Sequence, residues 1–247
     1  MECRNRWTCL AGSTFAFVLV SPVAVSQVNA VVLAGWNFDQ LSSGTINIGS
    51  NLNPNISNNL GVSSGTLSGR HLLPATVWSS PAGNGGGRSL AATSWSLQTN
   101  FLGLNPTGDY FQLQVNTLLH KNIVLKWDQI RASGFVAGPS SFKLAYSNDN
   151  LTYTGFATYT VGTSWSSFSQ TLSTITGLNN QPFVYFRLIG TPAIVSLGAS
   201  RIDNVSIEAD PVPTPLPIAG AAFAFSCVSH LRRKSHILRA STLKLPS

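Results

Sequence analysis

The sequence predicts an all-β protein built as one antiparallel β-sandwich, and three observations predict it. Apolar and polar residues alternate over short runs, and clusters of Gly, Asn, Pro and Ser separate those runs. No window of helical length repeats with a 3.6-residue period. Many short strands in one chain of 247 residues imply a sandwich, with a jelly roll as the expected form.

The alternation can be followed strand by strand. Phe111, Leu113 and Val115 point one way while Tyr110, Gln112 and Gln114 point the other. Ile123, Leu125 and Trp127 repeat the pattern against Lys126 and Asp128, and Phe142, Leu144 and Tyr146 repeat it against Lys143. Val184, Phe186 and Leu188 alternate with Tyr185 and Arg187. A period of two places each set on one face of a half-buried strand.

Composition narrows the class. Charged residues make up 9% of the chain, well below the roughly 25% of an ordinary globular domain. The surface therefore relies on Ser, Thr, Asn, Gln and Gly. At 43% hydrophobic and 10% aromatic, the chain can form a core, which argues against disorder. The net charge of +7 is unevenly placed. Residues 31–210 hold eight bases and seven acids, whereas Arg232, Arg233, Lys234, Arg239 and Lys244 crowd the C-terminus. Basicity at the ends acts as a topological signal, and a nucleic-acid surface would carry it on the folded domain instead. Nucleic acid is excluded as a partner on that ground. Cys3, Cys9 and Cys227 all lie outside 31–210, so the central domain has no disulfide and no Cys-ligated zinc.

The ends read as addresses. Residues 1–30 form a signal peptide: Arg4 and Arg6 precede an apolar run from Leu10 to Val25, and Val28-Asn29-Ala30 suits signal peptidase cleavage after Ala30. The sandwich is expected over 31–210. Residues 211–247 make a proline-spaced linker, a short apolar stretch from Ile218 to Leu231, and a basic tail. As a helix, Pro217 to Leu231 spans about 22 Å against a hydrocarbon core of about 30 Å, so it crosses only if its arginines snorkel.

The ordered set Val212, Pro213, Pro215, Leu216, Pro217, then Gly220, Ala221 and Ala222, then Arg232, Arg233 and Lys234 resembles the PEP-CTERM sorting signal in its Val-Pro-x-Pro-Leu-Pro variant. Pro213-Thr214-Pro215 stands where the eponymous pattern has Pro-Glu-Pro, and Arg239 to Ser247 extends beyond such tails. The resemblance implies transient membrane insertion and recognition by an exosortase-like processing enzyme. It also implies delivery to the cell surface or to extracellular polysaccharide. Trp36-Asn-Phe-Asp39, Gly108-Asp-Tyr-Phe111, Gly138 to Phe142, Tyr146-Ser-Asn-Asp149, Phe186-Arg-Leu188 and Arg201-Ile-Asp-Asn-Val205 resemble a recurrent ectodomain of that family. The Phe142 to Asp149 stretch is similar to a strand and turn of galactose-binding-like jelly rolls.

Candidate chemistry is sparse, and no catalytic residue is assigned. Gly61-Val-Ser63-Ser-Gly65 matches a nucleophile pattern, but no helix signal follows it and a loop is expected. Gly83-Asn-Gly-Gly-Gly87 lacks the Lys-Ser/Thr of a phosphate loop and reads as a flexible surface loop. His71 and His120 are isolated, either on the surface or structural. Trp78, Trp95, Trp127, Trp165, Tyr153 and Tyr159 stack on sugar rings if exposed, and fill the core if not.

One metal site is expected as an option. Asp39, on the opening strand, and Asp203, on the closing strand, meet if those strands are neighbours, and would then supply charge to a structural Ca2+. The alternative has Asp203 paired with Arg201 or Arg187 and Asp39 capping a turn. The function read from the whole is an exported, non-enzymatic surface or matrix protein with a structural or adhesive ectodomain. A carbohydrate-binding module is the alternative, and a hydrolase a more distant one.

Overall fold

The computed structural model describes residues 29–48, 54–73, 75–96, 108–132, 137–192 and 197–213. Two antiparallel sheets face each other. The seven-stranded sheet holds β1 (Val31–Trp36), β2 (Gly44–Ile48), β5 (Val77–Ser80), β6 (Leu90–Ala92), β8 (His120–Arg131), β11 (Ser166–Thr171) and β13 (Ser200–Pro211). The six-stranded sheet holds β3 (Ile56–Ser57), β4 (Gly65–Arg70), β7 (Tyr110–Val115), β9 (Ser141–Ser147), β10 (Thr154–Thr160) and β12 (Val184–Gly190). Strand order is β11-β8-β13-β6-β5-β2 in the first, with β1 also on β13, and β10-β9-β12-β7-β4-β3 in the second. Between β6 and β9, and again from β10 to β13, each strand passes to the opposite sheet, so neighbours in sequence face across the core. The expected antiparallel sandwich is the observed fold.

Core residues come from the predicted inward sets. Phe111, Leu113, Val115, Ile123, Leu125, Trp127, Phe142, Leu144, Val184, Phe186 and Leu188 are all buried between the sheets, and Tyr146 packs half-buried against them. Three tryptophans, Trp36, Trp78 and Trp95, are fully enclosed, and glycines make room for two of them. A Cβ on Gly69 would collide with the Trp78 ring, and one on Gly190 with the Trp95 ring. Edge-to-face contacts among Trp78, Trp95, Phe111 and Phe142, with centroids 5.3 to 5.7 Å apart, fix the packing.

Pairing of β1 with β13 sets the polarity of the molecule. Val31 lies opposite Ala209 and Trp36 opposite Val205. The chain therefore enters and leaves the sandwich at one pole, with Ala30 exposed just ahead of β1 and Val212 just after β13. The 116–119 turn, the 58–64 loop and the segment before Val184 close the same pole, tied by Val62 N to Val32 O at 3.0 Å, Thr117 N to Gln181 O at 2.9 Å and Val212 N to Leu119 O at 2.7 Å. The signal-peptide residues 1–28 and the tail from Thr214 onward, with Pro215 to Lys234 of the sorting pattern, lie outside the described residues. Among the described residues no helix is long and apolar enough to cross a membrane.

Candidate functional site

Two surfaces carry polar chemistry, and the first is an acidic seam in the seven-stranded sheet. Along one side of β13, β6 covers Ser200 to Ile202 and β1 covers Val205 to Ala209, leaving Asp203 and Asn204 between them. A register shift follows Asp203 in the β8 pairing, and Asn204 there takes a positive φ of 46°, a conformation that Asn tolerates better than most residues. Asp203 lies directly opposite Asp128 of β8. Like charges at a cross-strand pair repel, and these two are 2% and 9% exposed.

The glycine loop before β6 closes over the pair. Asn84 N donates to Asp203 Oδ2 at 2.7 Å, and Asn84 Nδ2 donates to Asp128 Oδ2 at 2.9 Å. Asn204 Nδ2 donates to the same Asp128 oxygen at 2.8 Å. Asp39 joins from the opposite side, accepting Arg88 N at 3.0 Å. The loop expected to be a free surface excursion is thus tied to three carboxylates. Burial pushes the Asp203 carboxyl up to about 6, with Asp128 and Asp39 reinforcing the shift. Burial also works against ionised Asp128, yet hydrogen bonds from Ser167, Asn204 and Asn84 bring its pKa below the usual value.

Asp39 lies beyond the end of β1 rather than on it, and the 83–88 loop holds it through Arg88 N while holding Asp203 through Asn84 N; Asp128, which alternation places outward, shares Asn84 with Asp203. None of the three has a basic ion-pair partner among the described residues, where Lys126 pairs with Glu208 and the neutral His71 lies 3.9 Å from Asp109. Arg187, offered as a partner of Asp203, lies on the other sheet. The three carboxylates suit Ca2+ in kind, being hard oxygen donors. Their arrangement is another matter: among the described residues no three acidic, histidine or cysteine side chains converge to hold a metal ion. Amide donors occupy the space between the carboxylates instead.

The second surface is the outer face of the six-stranded sheet. Register stacks three rows across it: Lys143, Ile189, Tyr110 and Arg70; then Ala145, Arg187, Gln112 and Ser68; then Ser147, Tyr185, Gln114 and Thr66. The Arg187 guanidinium carbon sits 4.0 Å from the Tyr110 ring centroid and 3.6 Å from that of Tyr153. Gln112 Oε1 accepts both Arg187 Nε at 2.8 Å and the Tyr153 hydroxyl at 3.0 Å. Burial lowers the Arg187 pKa and raises that of Tyr153. Beside this stack, Gln114, Thr66, Ser57, Asn58, Ser64 and Phe183 line a shallow cavity of about 210 Å³.

The aromatic candidates divide accordingly. Trp78, Trp95 and Trp127 are buried core, which rules them out as an exposed platform. Tyr159 stacks on Phe142 and donates to Gln129 at 2.7 Å, and Trp165 is half-buried. Of the six, Tyr153 alone reaches the outer face described above, where Tyr110 and Tyr185, read only as outward strand positions, join it. His71 is wholly buried between Trp78 and Trp95, and burial drives its pKa down to about 4 despite Asp109 nearby. In Gly61 to Gly65, Ser63 N bonds Leu33 O and the strand β4 follows, so no strained serine is presented before a helix.

No family model matches the chain, and no curated protein matches it. Among solved structures the chain is similar to the tandem CBM22-1–CBM22-2 domain of Paenibacillus barcinonensis Xyn10C, at 14% identity and TM-score 0.46, covering 78% of this chain and 49% of that one. It spans about half that structure's length. It is also similar to the K3 cleaved adhesin domain of Lys-gingipain from Porphyromonas gingivalis w83, at 14% identity and TM-score 0.40, covering 73% and 99%. A third likeness is to the family 11 carbohydrate-binding module of Lic26A-Cel5E of Clostridium thermocellum, at 11% identity and TM-score 0.40, covering 77% and 100%. At these values the sandwich is defined by the chain's own two sheets, and no residue role transfers.

Proposed function

We propose that this chain is an exported surface or matrix protein, addressed by a cleaved signal peptide and a C-terminal exosortase-type sorting tail. Its ectodomain is structural or adhesive and not catalytic. The observation that supports the reading is the pairing of Val31 with Ala209. Leader and tail leave the sandwich side by side, so a tether at that pole keeps the opposite pole and both sheet faces clear. The sorting residues, signal peptidase and the exosortase-like enzyme enter from the sequence pattern. Mass spectrometry of the surface-located protein tests the reading: a chain starting at Val31 and ending near Pro217 is expected. Intact Arg232-to-Ser247 peptides would overturn the sorting step.

A second reading, polysaccharide recognition, is favoured by the outer face of the six-stranded sheet. Tyr185 and Gln114 lie side by side there, next to a shallow cavity lined by hydroxyl and amide groups. An aromatic ring flanked by a few placed polar groups is the usual make-up of a small-ligand site. A glycan array on the secreted protein separates this reading from a purely structural ectodomain.

A further inference from the structure

We propose that the pole from which both ends emerge is a membrane-seating surface, which rests the sandwich on the lipid bilayer while the tail is inserted. This rests on the tail reading above. Nine large hydrophobic side chains are exposed among the described residues, and five of them, Val62, Leu118, Leu119, Phe183 and Val212, lie at this pole. Val62 is 72% and Leu119 60% exposed. Exposed apolar side chains gathered at one place mark a contact surface, whereas scattered ones need no explanation.

The turn that presents two of them is built against local preference. His120 N bonds Thr117 O at 3.0 Å, closing a turn whose third residue, Leu119, has φ +61°. That position favours Gly or Asn, and a leucine there is strained. Backbone strain held at an exposed apolar tip points to a use for the tip. Asn116 Oδ1 accepts Leu118 N at 2.8 Å and Asn180 Oδ1 accepts Leu119 N at 2.9 Å, so the strained turn is braced from two sides.

The occupant follows from where the chain goes next. Val212 N is bonded to Leu119 O, and the apolar stretch begins at Ile218. The residues between, Pro213 to Pro217, reach about 15 Å at about 3.1 Å per residue when proline-extended. A tail seated in the bilayer therefore holds this pole at the lipid interface. Nearby charge is small and mixed: Lys121 and His120 against Asp210, whose carboxylate accepts Asn122 Nδ2 at 2.9 Å, and Asp149 on the turn that Asn148 Nδ2 ties to Gly177 O at 2.8 Å. Seating consequently depends on apolar contact and does not require anionic lipid. It would also present the Pro213–Pro217 linker at the interface where a membrane enzyme acts.

The test uses the tail-bearing protein isolated from membranes and reconstituted in phosphatidylcholine vesicles. Environment-sensitive fluorophores are placed on cysteines at Lys121, beside the pole, or at Thr163, beyond the opposite end, with Cys227→Ser as background. Lipid-borne nitroxide is expected to quench the 121 label several-fold more than the 163 label. In the Leu118→Ser/Leu119→Asn variant that difference is expected to vanish while the protein still floats with vesicles. Asn suits the positive φ, so this variant should melt no lower than its Leu118→Ser parent. Equal quenching of both labels in floating protein overturns the seating proposal and leaves the tail reading intact. Protein that fails to float overturns the tail reading itself. Self-quenching between labelled copies that disappears on dilution with unlabelled protein, without lipid quenching, overturns seating in favour of a second copy of this chain.

Discussion

The backbone amide of Asn84 donates to Asp203 Oδ2 at 2.7 Å across 119 positions of sequence. That bond closes a gap in the seven-stranded sheet, where β13 changes neighbour from β6 to β1. It also places an amide dipole where two facing carboxylates would otherwise repel. The glycines allow it: a Cβ on Gly83 would collide with Asp203 Oδ2 and Arg88 O, and one on Gly87 with Asp39 Oδ1.

Gly83→Ala is therefore expected to lower stability by about 1–3 kcal/mol, the range for an overpacked site. Gly85→Ala serves as the contrast. Its φ is +74° but a Cβ there meets nothing within 4 Å, so only the left-handed backbone penalises it, by about 1–2 kcal/mol. Urea unfolding of both variants decides. A Gly83→Ala midpoint equal to that of the native protein would mean that the loop does not lie against Asp203.

The pH dependence of stability should reveal two opposed groups. Asp203 has a folded pKa of about 6, above its unfolded value. The folded state then holds the extra proton, and stability from this group falls as pH rises through that range. His71, lowered to about 4 from 6.5, acts with the opposite sign: the unfolded state holds the proton, and stability rises with pH between 4 and 6.5. In the native protein the two partly cancel. Asp203→Asn is expected to leave the His71 slope alone, so melting temperature should climb from pH 4 to 6.5. A flat profile in that variant would remove His71 from the account.

Much of the sandwich was legible because a period of two places inward sets without knowledge of neighbours. Phe111, Leu113, Val115 and the Val184 to Leu188 set needed only alternation. Outward positions were not legible in the same way. Arg187 alternates as a solvent-facing residue, yet two tyrosines from different strands enclose it. Pairing of first strand with last leaves out both Asp39, beyond the end of β1, and Asp203, outside that ladder, and Asp128 required the register of β8 against β13. Nothing in Gly83 to Gly87 signals a partner 119 residues away.

Calcium decides between two ways of balancing the seam. With amides alone, raising calcium to millimolar levels leaves the melting temperature unchanged. With a cation held by Asp39, Asp128 and Asp203, calcium raises it at pH 7 and less at pH 5, where the Asp203 carboxyl is largely protonated. We expect no change, because among the described residues no three acidic, histidine or cysteine side chains converge to hold a metal ion, and the amides of Asn84 and Asn204 already occupy the Asp203 and Asp128 carboxylates. A higher melting temperature in calcium than in chelator at pH 7 would overturn the amide account and restore the cation.

On the outer sheet face, the Tyr110–Arg187–Tyr153 stack and the neighbouring Tyr185–Gln114 pair should separate stability from binding. Arg187 is buried by two rings and bonded to Gln112, so Arg187→Ala leaves an acceptor and two ring faces without their partner. A loss of about 1–3 kcal/mol in unfolding free energy is expected. Tyr185 and Gln114 are only half-buried, and their replacement by Ala should barely alter melting. If the face binds polysaccharide, that double variant loses about tenfold or more in affinity, the effect of removing about 1.4 kcal/mol of contact. Affinity electrophoresis in soluble polysaccharide gels reads the loss directly. Retention of the native protein equal to that of the double variant would remove this face as the glycan site while leaving the stack's structural role in place.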